Sequence, residues 1–179
     1  MILLGPASDD ARIIVKSLCE ARQEWPHFGA VITIEDPDEP EPLRLRGGDV
    51  RQLILKFHDI DFEHPRWRSP EQKHVVKALQ FARSASGKRL LVHCHAGLSR
   101  SPAIALAVIA DRMGKGREEE AMAELASLVP SCVPNMAIVR LADAVLCRGG
   151  ALTDAVRKHE EKSGPAKRVR LLKVLAAGA

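Results

Sequence analysis

Residues 93–101 read His-Cys-His-Ala-Gly-Leu-Ser-Arg-Ser, and they follow the apolar run Leu90-Leu91-Val92. The apolar run predicts a short buried strand that ends at Cys94. Ser101-Pro102 then opens a long apolar stretch, which predicts a helix over 102–113 with Ser101 as N-cap and Pro102 at the first helical position. The sequence therefore places a thiol and a guanidinium at the two ends of a loop between a strand and a helix.

This loop has the chemistry of an anion-binding site. The N–H groups and positive dipole end of the following helix favour a bound dianion. Gly97 permits a backbone conformation in which successive N–H groups converge, and the planar fork of Arg100 matches two phosphate oxygens. The same positive field stabilises a thiolate on Cys94. Such a thiolate, surrounded by donors, is arranged for attack on phosphorus.

Two simpler interpretations of Cys94 are less consistent with these neighbours. A cysteine at the end of a strand is often only a small buried hydrophobe. His93-Cys94-His95 also suggests a metal site, but adjacent strand residues point to opposite faces and no second Cys/His cluster has finger-like spacing. We therefore predict neither a metal nor another cofactor.

Residues 93–101 match the signature His-Cys-x-x-Gly-x-x-Arg-Ser/Thr at every fixed position. In this the chain resembles the cysteine-dependent protein tyrosine phosphatases, and their dual-specificity-like branch in particular. The resemblance implies that Cys94 is the nucleophile and that Arg100 binds the phosphoryl group. It also implies that Ser101 assists departure of the Cys94 sulfur and that His93 orients the loop. The implied phosphate-binding residues are His95, Ala96, Gly97, Leu98, Ser99 and Arg100.

The strong match covers residues 87–113, and a weaker likeness over most of 1–150 is to small predicted bacterial tyrosine phosphatases. Phe57-His58-Asp59-Ile60 and Val133-Pro134-Asn135 carry that weaker likeness. The resemblance implies an α/β, dual-specificity-phosphatase-like fold. It would have a central, mostly parallel sheet flanked by helices and a helical C-terminal half.

A phosphatase of this kind also needs a general acid on a separate loop, to protonate the leaving oxygen. Asp59 and Asp61 both follow a predicted strand, and Glu63 comes next. We favour Asp59, because it lies directly after the strand and within the resembling His-Asp-Ile segment. Trp67 in the same loop either lines the pocket or, more simply, anchors the loop by packing.

The rest of the chain predicts an alternation of strands and helices. Over residues 8–25 the sequence does not predict the order of strands and helices. We interpret the acidic, Pro-rich segment 35–42 as a solvated loop, with binding of basic partners as the alternative. The predicted strands are 30–34, 53–58 and 89–93, and the remaining predicted helices are 69–86, 117–128 and 135–147, the last capped by Asn135.

Composition restricts the class of protein. The 179 residues are 46% hydrophobic and only 3% aromatic, which fits one globular domain with an aliphatic core. The sequence contains neither a membrane-spanning stretch nor a signal peptide. Its four cysteines have no framework spacing, which favours a reducing, cytoplasmic location. Cys19 or Cys132 could protect Cys94 as a disulfide, although unrelated thiols are the simpler interpretation.

The charge is uneven along the chain. Residues 1–150 hold 20 basic and 20 acidic side chains, whereas 151–179 hold seven and three, so the net charge of +4 lies in the tail. We divide the chain into a catalytic domain, 1–150, and a basic, helical tail, 151–179. The tail either packs on the domain or is a mobile end, with membrane contact as the alternative. It has no aromatic residue for base stacking, so nucleic acid is not expected.

These observations predict a cytoplasmic, metal-independent phosphomonoesterase that acts on phosphotyrosine in proteins, with phosphoserine and phosphothreonine as further substrates. Alternatives are a phospholipid or other small phosphoester as substrate, or a non-catalytic phosphate-binding module. Sulfur transfer of the rhodanese type also uses a cysteine in such a loop, but it requires neither Arg100-Ser101 nor an upstream acid.

Overall fold

The computed structural model describes residues 12–164 and 169–171. Its elements are strands and α-helices, with the two long connections 36–50 and 57–71 on either side of the third strand. In chain order the elements are β1 (Ile13–Lys16), α1 (Leu18–Glu24), β2 (Ala30–Glu35), β3 (Arg51–Lys56), α2 (Gln72–Ser84), β4 (Leu90–His93), α3 (Arg100–Met113), α4 (Glu118–Leu128), α5 (Met136–Val145) and α6 (Ala151–Lys162), with a 3₁₀ turn at Trp25–His27 after α1.

The four strands form one parallel sheet in the order β1-β4-β2-β3. Side chains alternate between its two faces, as the pleat requires. In β4, Leu90 and Val92 face the larger core and Leu91 faces the smaller one. This is the predicted α/β fold with a helical C-terminal half, and the sheet is parallel throughout.

Helix α3 lies at the centre of the larger core. Every residue from Arg100 to Ala110 is buried, because α2, α4 and α5 pack around the helix and it also contacts β4 and β1 of the sheet. The helix ends at Gly114, whose φ of 89° suits glycine. An apolar central helix of this kind fixes the direction of its own N-terminus, and with it the 94–100 loop.

Several predicted boundaries move by a few residues. β3 covers 51–56 and not 53–58, because at His58 the chain leaves β2 and its N–H donates to the Arg68 carbonyl. α2 begins at Gln72 and not at residue 69, because Glu71 and His74 form its capping box. The unassigned region near 8–25 contains β1 and α1, and Ser17 and Glu20 form a capping box for α1.

Helix α3 starts at Arg100, so the prediction that Ser101 is its N-cap is wrong. Ser99 holds the N-cap position, and Pro102 is the third helical residue. A proline is still acceptable there, because N–H groups of the first turn have no partner inside the helix. The Ser101 hydroxyl is thereby free for the Cys94 sulfur.

The prediction that segment 35–42 is solvated is wrong at its first two residues. Glu35 is the last residue of β2, is 4% exposed and forms ion pairs with Arg44 and Lys56. Asp36 contacts Arg100. Of the remaining acidic residues, Glu39 lies beside His95 of the 94–100 loop, whereas Asp38 and Glu41 are exposed.

Helix α6 packs on the domain. Leu152, Ala155 and Val156 belong to the larger core, and α6 contacts α4 and α5. This agrees with the packed interpretation of the tail, while the domain division after Gly150 stays a prediction. None of the helices among the described residues is long and apolar enough to cross a bilayer.

All four parallel strands end at the same edge of the sheet. Ser17 follows β1, Asp36 follows β2, Phe57 follows β3 and Cys94 follows β4. In open parallel sheets this carboxyl edge is where ligands bind. The chain thus brings together polar residues that are far apart in its sequence.

Candidate active site

Cys94 lies at the floor of the loop between β4 and α3. Its side chain is buried, and its sulfur accepts hydrogen bonds from the Gly97 backbone N–H at 3.3 Å and from the Ser101 hydroxyl at 3.1 Å. Both donors point at the sulfur from the loop and from the first turn of α3. Gly97 and Ser101, which the sequence assigned to the loop and its end, are thus both in contact with Cys94.

The loop is held open by hydrogen bonds to its carbonyl groups. The carbonyl of His95 accepts from Leu18 N at 3.0 Å, that of Leu98 from Val133 N at 2.8 Å and that of Ser99 from Asn135 N at 3.2 Å. In a planar trans peptide the next residue's N–H points opposite to the carbonyl. The N–H groups of Ala96, Ser99 and Arg100 are consequently directed away from these anchors, and an anion in the loop would be surrounded by donors.

Gly97 allows this conformation for two reasons. Its φ is +75°, a region that other residues adopt at a cost. A Cβ at this position would also lie 2.8 Å from the Lys16 carbonyl carbon and 2.9 Å from Ser17 N. The loop therefore passes directly against the end of β1, where no side chain fits.

Arg100 is fixed by one end of its guanidinium. Nη1 donates to the Phe57 carbonyl and to Asp36 Oδ1, both at 2.8 Å. The residue is 4% exposed, and its buried Nε has no hydrogen-bond partner among the described residues. A buried guanidinium N–H without a partner is costly, so this edge is suited to an anionic ligand.

Asp36 is a site residue that the sequence analysis did not identify. The sequence predicts that Asp36 belongs to a solvated acidic loop, whereas in the structure Asp36 forms an ion pair with Arg100. Further along the same segment, Glu39 lies 3.7 Å from His95 and Asp38 lies 3.8 Å from His58. The acidic segment thus forms one wall beside the loop. Its only sequence signal was its position directly after a strand.

The two candidate acids have different surroundings. Asp59 Oδ1 accepts from the Ser99 hydroxyl at 2.7 Å and from Asn135 Nδ2 at 2.9 Å, so Asp59 touches the loop itself. Asp61 Oδ1 accepts from Met136 N at 2.6 Å, at the start of α5, and its Oδ2 pairs with Arg170. Glu63 lines a separate groove with Phe62 and Arg140. The geometry favours Asp59, as the sequence did.

Asn135 has a second role that the sequence did not reveal. It caps α5, as expected, by accepting from Ile138 N at 3.0 Å. Its amide nitrogen also donates to Asp59 Oδ1 and to the Ile60 carbonyl. Asn135 therefore joins the acid-bearing loop to α5.

Trp67 is 47% exposed and is not a fully packed anchor. Its ring stacks near His58, with centroids 6.2 Å apart, and near His64 at 4.5 Å. His58 immediately precedes Asp59. Trp67 accordingly lies on the surface beside the candidate acid.

The four cysteines of the chain are free thiols. Cys19 and Cys147 are exposed, whereas Cys132 is buried. Burial raises the pKa of Cys132 to about 11, which makes its thiolate scarce at neutral pH. The idea that Cys19 or Cys132 protects Cys94 as a disulfide stays a prediction.

His93 lies beneath the loop as a buried neutral base. Its Nε2 is 2.9 Å from Thr33 Oγ1, which in turn accepts from Gln52 Nε2 at 2.7 Å. Burial lowers the pKa of His93 to about 4, although the Cys94 backbone and the charge of Glu35 oppose this effect. The imidazole therefore lies uncharged beneath the loop and is linked through Thr33 to Gln52.

This shift predicts a loss of stability in mild acid. Between about pH 6.5 and 4 the unfolded chain takes up a proton on His93 that the folded protein does not, so unfolding becomes easier as pH falls through this window. The largest contribution is about 3 kcal/mol, for a shift of roughly 2.5 pKa units. The measurement is the free energy of unfolding by urea from pH 4 to 7.

In that experiment His93→Gln should flatten the dependence on pH, whereas the exposed control His27→Gln should not. Burial also lowers the pKa of His74, so part of the wild-type slope will persist in the His93 variant. A slope in His93→Gln equal to that of the wild type would contradict a buried neutral imidazole.

Comparison with known proteins supports the fold. The chain matches no family model and no curated protein. Among solved structures it is similar to DUSP15, with 21% identity over 92% of this chain and 97% of that one and a TM-score of 0.58. PTPMT1 in complex with PI(5)P gives 19% identity, coverage of 83% and 95%, and a TM-score of 0.58. Tk-PTP in its active form gives 21%, 82% and 99%, and 0.54.

The chain has the fold of the dual-specificity-like protein tyrosine phosphatases. This confirms the fold that the 93–101 signature implied. At about one residue in five identical, the comparison establishes the phosphatase fold and not the reaction. The roles of the individual residues therefore depend on the geometry described above.

Proposed function

We propose that this dual-specificity-phosphatase-like protein hydrolyses phosphomonoesters through a phosphocysteine formed on Cys94, without a metal ion. The observation that carries the proposal is that Cys94 and Arg100 lie at the two ends of one loop between β4 and α3. The Cys94 sulfur receives two hydrogen bonds, while the buried Nε of Arg100 has no partner among the described residues. A nucleophile and a bidentate phosphate ligand thus meet at one helix N-terminus.

In the first step the Cys94 thiolate forms a bond to phosphorus as the ester oxygen leaves. Asp59, held beside the loop by Ser99 and Asn135, donates a proton to that oxygen, and the product is an alcohol or phenol. Backbone N–H groups and Arg100 stabilise the charge on the equatorial oxygens.

In the second step water attacks the phosphocysteine. The ionised Asp59 takes a proton from this water, the S–P bond breaks, and inorganic phosphate leaves. The Ser101 hydroxyl, 3.1 Å from the sulfur, stabilises the departing thiolate. The two steps together regenerate Cys94 and Asp59 and require no oxidant or reductant.

We infer that the substrate is a phosphorylated protein, with phosphotyrosine as the leading residue and phosphoserine and phosphothreonine as further ones. The acidic wall supports this, because Glu39 lies 3.7 Å from His95 of the loop and Asp38, close to His58, is 87% exposed. Such a wall disfavours a polyanionic lipid headgroup by repulsion and tolerates a peptide.

A phospholipid is the second candidate, since PTPMT1, whose structure is similar, was solved with PI(5)P. A non-catalytic phosphate-binding module is less consistent with the site, because Cys94, Arg100 and Asp59 are all in place. We place the protein in the cytoplasm and expect no nucleic-acid partner.

The test uses the full-length protein with p-nitrophenyl phosphate, with a metal chelator present throughout. We expect steady turnover that vanadate or a thiol alkylator abolishes. Acid quenching during turnover should trap one phosphate on Cys94. A phosphotyrosine peptide should then be cleaved faster than PI(5)P in vesicles. Phosphate bound with no turnover would favour the binding module, and faster cleavage of PI(5)P would favour the lipid.

A further inference from the structure

Arg170 joins the C-terminal segment to the residues around Asp59. Among the described residues of that segment, Val169 and Leu171 are exposed at 37% and 59%, whereas the Arg170 side chain is 18% exposed. Only the arginine is turned toward the domain. The contacts that it makes there belong to three separate parts of the chain.

The first two contacts lie on either side of the candidate acid. Arg170 Nη1 donates to Asp61 Oδ2 at 2.9 Å, and Nη2 donates to the Pro134 carbonyl at 2.7 Å. Asp61 is two residues from Asp59, and Pro134 precedes Asn135, which donates to Asp59. Arg170 therefore bridges the two short segments that hold the acid.

The third contact fixes Arg170 itself. Its Nε and Nη2 donate to the two carboxylate oxygens of Glu160 in α6, a bidentate pair in which both side chains are largely buried. Burial lowers the pKa of Arg170, but hydrogen bonding to Glu160 and the charges of Glu160, Asp61 and Asp59 raise it by more. The guanidinium is thus a permanent cation beside the acid loop.

We propose that Arg170 is a positioning residue for the general acid, because it holds the 59–61 turn against the 134–136 turn from which Asn135 reaches Asp59. This inference rests on the proposed function and deepens it. Arg170 then completes the catalytic apparatus from outside the phosphate loop. Its contribution falls on the protonation of the leaving group, since Arg170 makes none of its contacts with the phosphate loop.

A substitution of Arg170 has to be combined with a second substitution that keeps the protein folded. Removing Arg170 alone leaves Glu160 buried and unpaired, which destabilises a protein for reasons unrelated to catalysis. The test therefore uses Arg170→Met combined with Glu160→Gln, which removes both charges. Arg170→Lys tests rescue, because it keeps the charge and loses the fork. Arg157→Met is the matched control, since Arg157 forms an exposed pair with Asp154 in α6.

The kinetic readout compares phenyl phosphate, whose leaving group needs a proton, with 2,4-dinitrophenyl phosphate, whose leaving group does not. For the Arg170/Glu160 variant we expect kcat on phenyl phosphate to fall roughly ten-fold, part of the roughly 10²–10⁴-fold that a general acid provides. On 2,4-dinitrophenyl phosphate we expect little change. The triple variant that combines the Arg170/Glu160 changes with Asp59→Asn should be no slower on phenyl phosphate than Asp59→Asn alone. Arg170→Lys should have a kcat between those of the wild type and the Arg170/Glu160 variant.

A second readout does not depend on activity. Hydrogen exchange should accelerate at the Met136 amide, which bonds to Asp61, and at residues 59–63, while β4 stays protected. Unchanged exchange there, or equal loss on both substrates, would overturn the role of Arg170. Accelerated exchange in a protein whose wild type has no phosphatase activity would instead overturn the proposed function and leave the structural link established.

Discussion

Cys94→Ser should abolish turnover of every phosphoester while leaving the fold and oxyanion binding intact. Serine places a hydroxyl where the Cys94 sulfur lies, and the alkoxide is not accessible at neutral pH. The loss should exceed about 10⁴-fold, as expected when a catalytic nucleophile is removed. The measurement is kcat on p-nitrophenyl phosphate, together with calorimetric binding of inorganic phosphate.

The matched control is Cys147→Ser, because Cys147 is an exposed thiol far along the chain from the loop. It should retain wild-type kcat and lose none of its sensitivity to vanadate. Arg100→Lys should be severely impaired as well, since a point charge cannot replace a fork whose other end is fixed by Phe57 and Asp36. Near-normal turnover in Cys94→Ser would refute the phosphocysteine mechanism.

Local sequence was sufficient for the phosphate loop. The cysteine, the glycine, the arginine and the serine lie within eight residues, and a strand and a helix fix both ends of the loop. Within it, only the cap assignment was wrong. Ser99 and Ser101 are both good caps by residue type, but in the structure the Ser101 hydroxyl donates to the Cys94 sulfur and the Ser99 hydroxyl donates to Asp59.

Local sequence could not predict the contacts between segments that are far apart in the chain. Asp36, Asn135 and Arg170 are separated from their partners by 64, 76 and 109 positions. Each looked ordinary in its local context: an acidic loop residue, a helix cap and a basic tail residue. They meet because the carboxyl ends of the strands and the start of α5 lie at one edge of the fold, a property of the tertiary structure and not of any short pattern.

The choice between Asp59 and Asp61 depends on both the sequence and the structure. Asp59 and Asp61 have the same residue type, lie two positions apart and follow the same strand, so the sequence could rank them only by position and resemblance. The structure separates them by their partners. Asp61 accepts from Met136 N at the beginning of α5, whereas Asp59 accepts from a hydroxyl of the phosphate loop.

Asp59→Asn should therefore lower kcat strongly where the leaving group needs a proton, by roughly 10²–10⁴-fold on phenyl phosphate or phosphotyrosine. The loss should shrink on 2,4-dinitrophenyl phosphate, which departs without protonation. The fall in rate toward high pH should also flatten, because that limb reports ionisation of the acid. The measurement is kcat on both aryl phosphates across the pH range.

Asp61→Asn is the matched control at two residues' distance. Its amide oxygen can still accept from Met136 N, so α5 stays capped, and only the charge paired with Arg170 is lost. We expect a modest effect, without the full leaving-group dependence of Asp59→Asn. If Asp61→Asn shows the strong dependence and Asp59→Asn does not, the acid is Asp61. If neither shows it, Glu63 is the next candidate. Because the Ser99 hydroxyl bonds to Asp59 and not to Asp61, the structure predicts that the large effect belongs to Asp59.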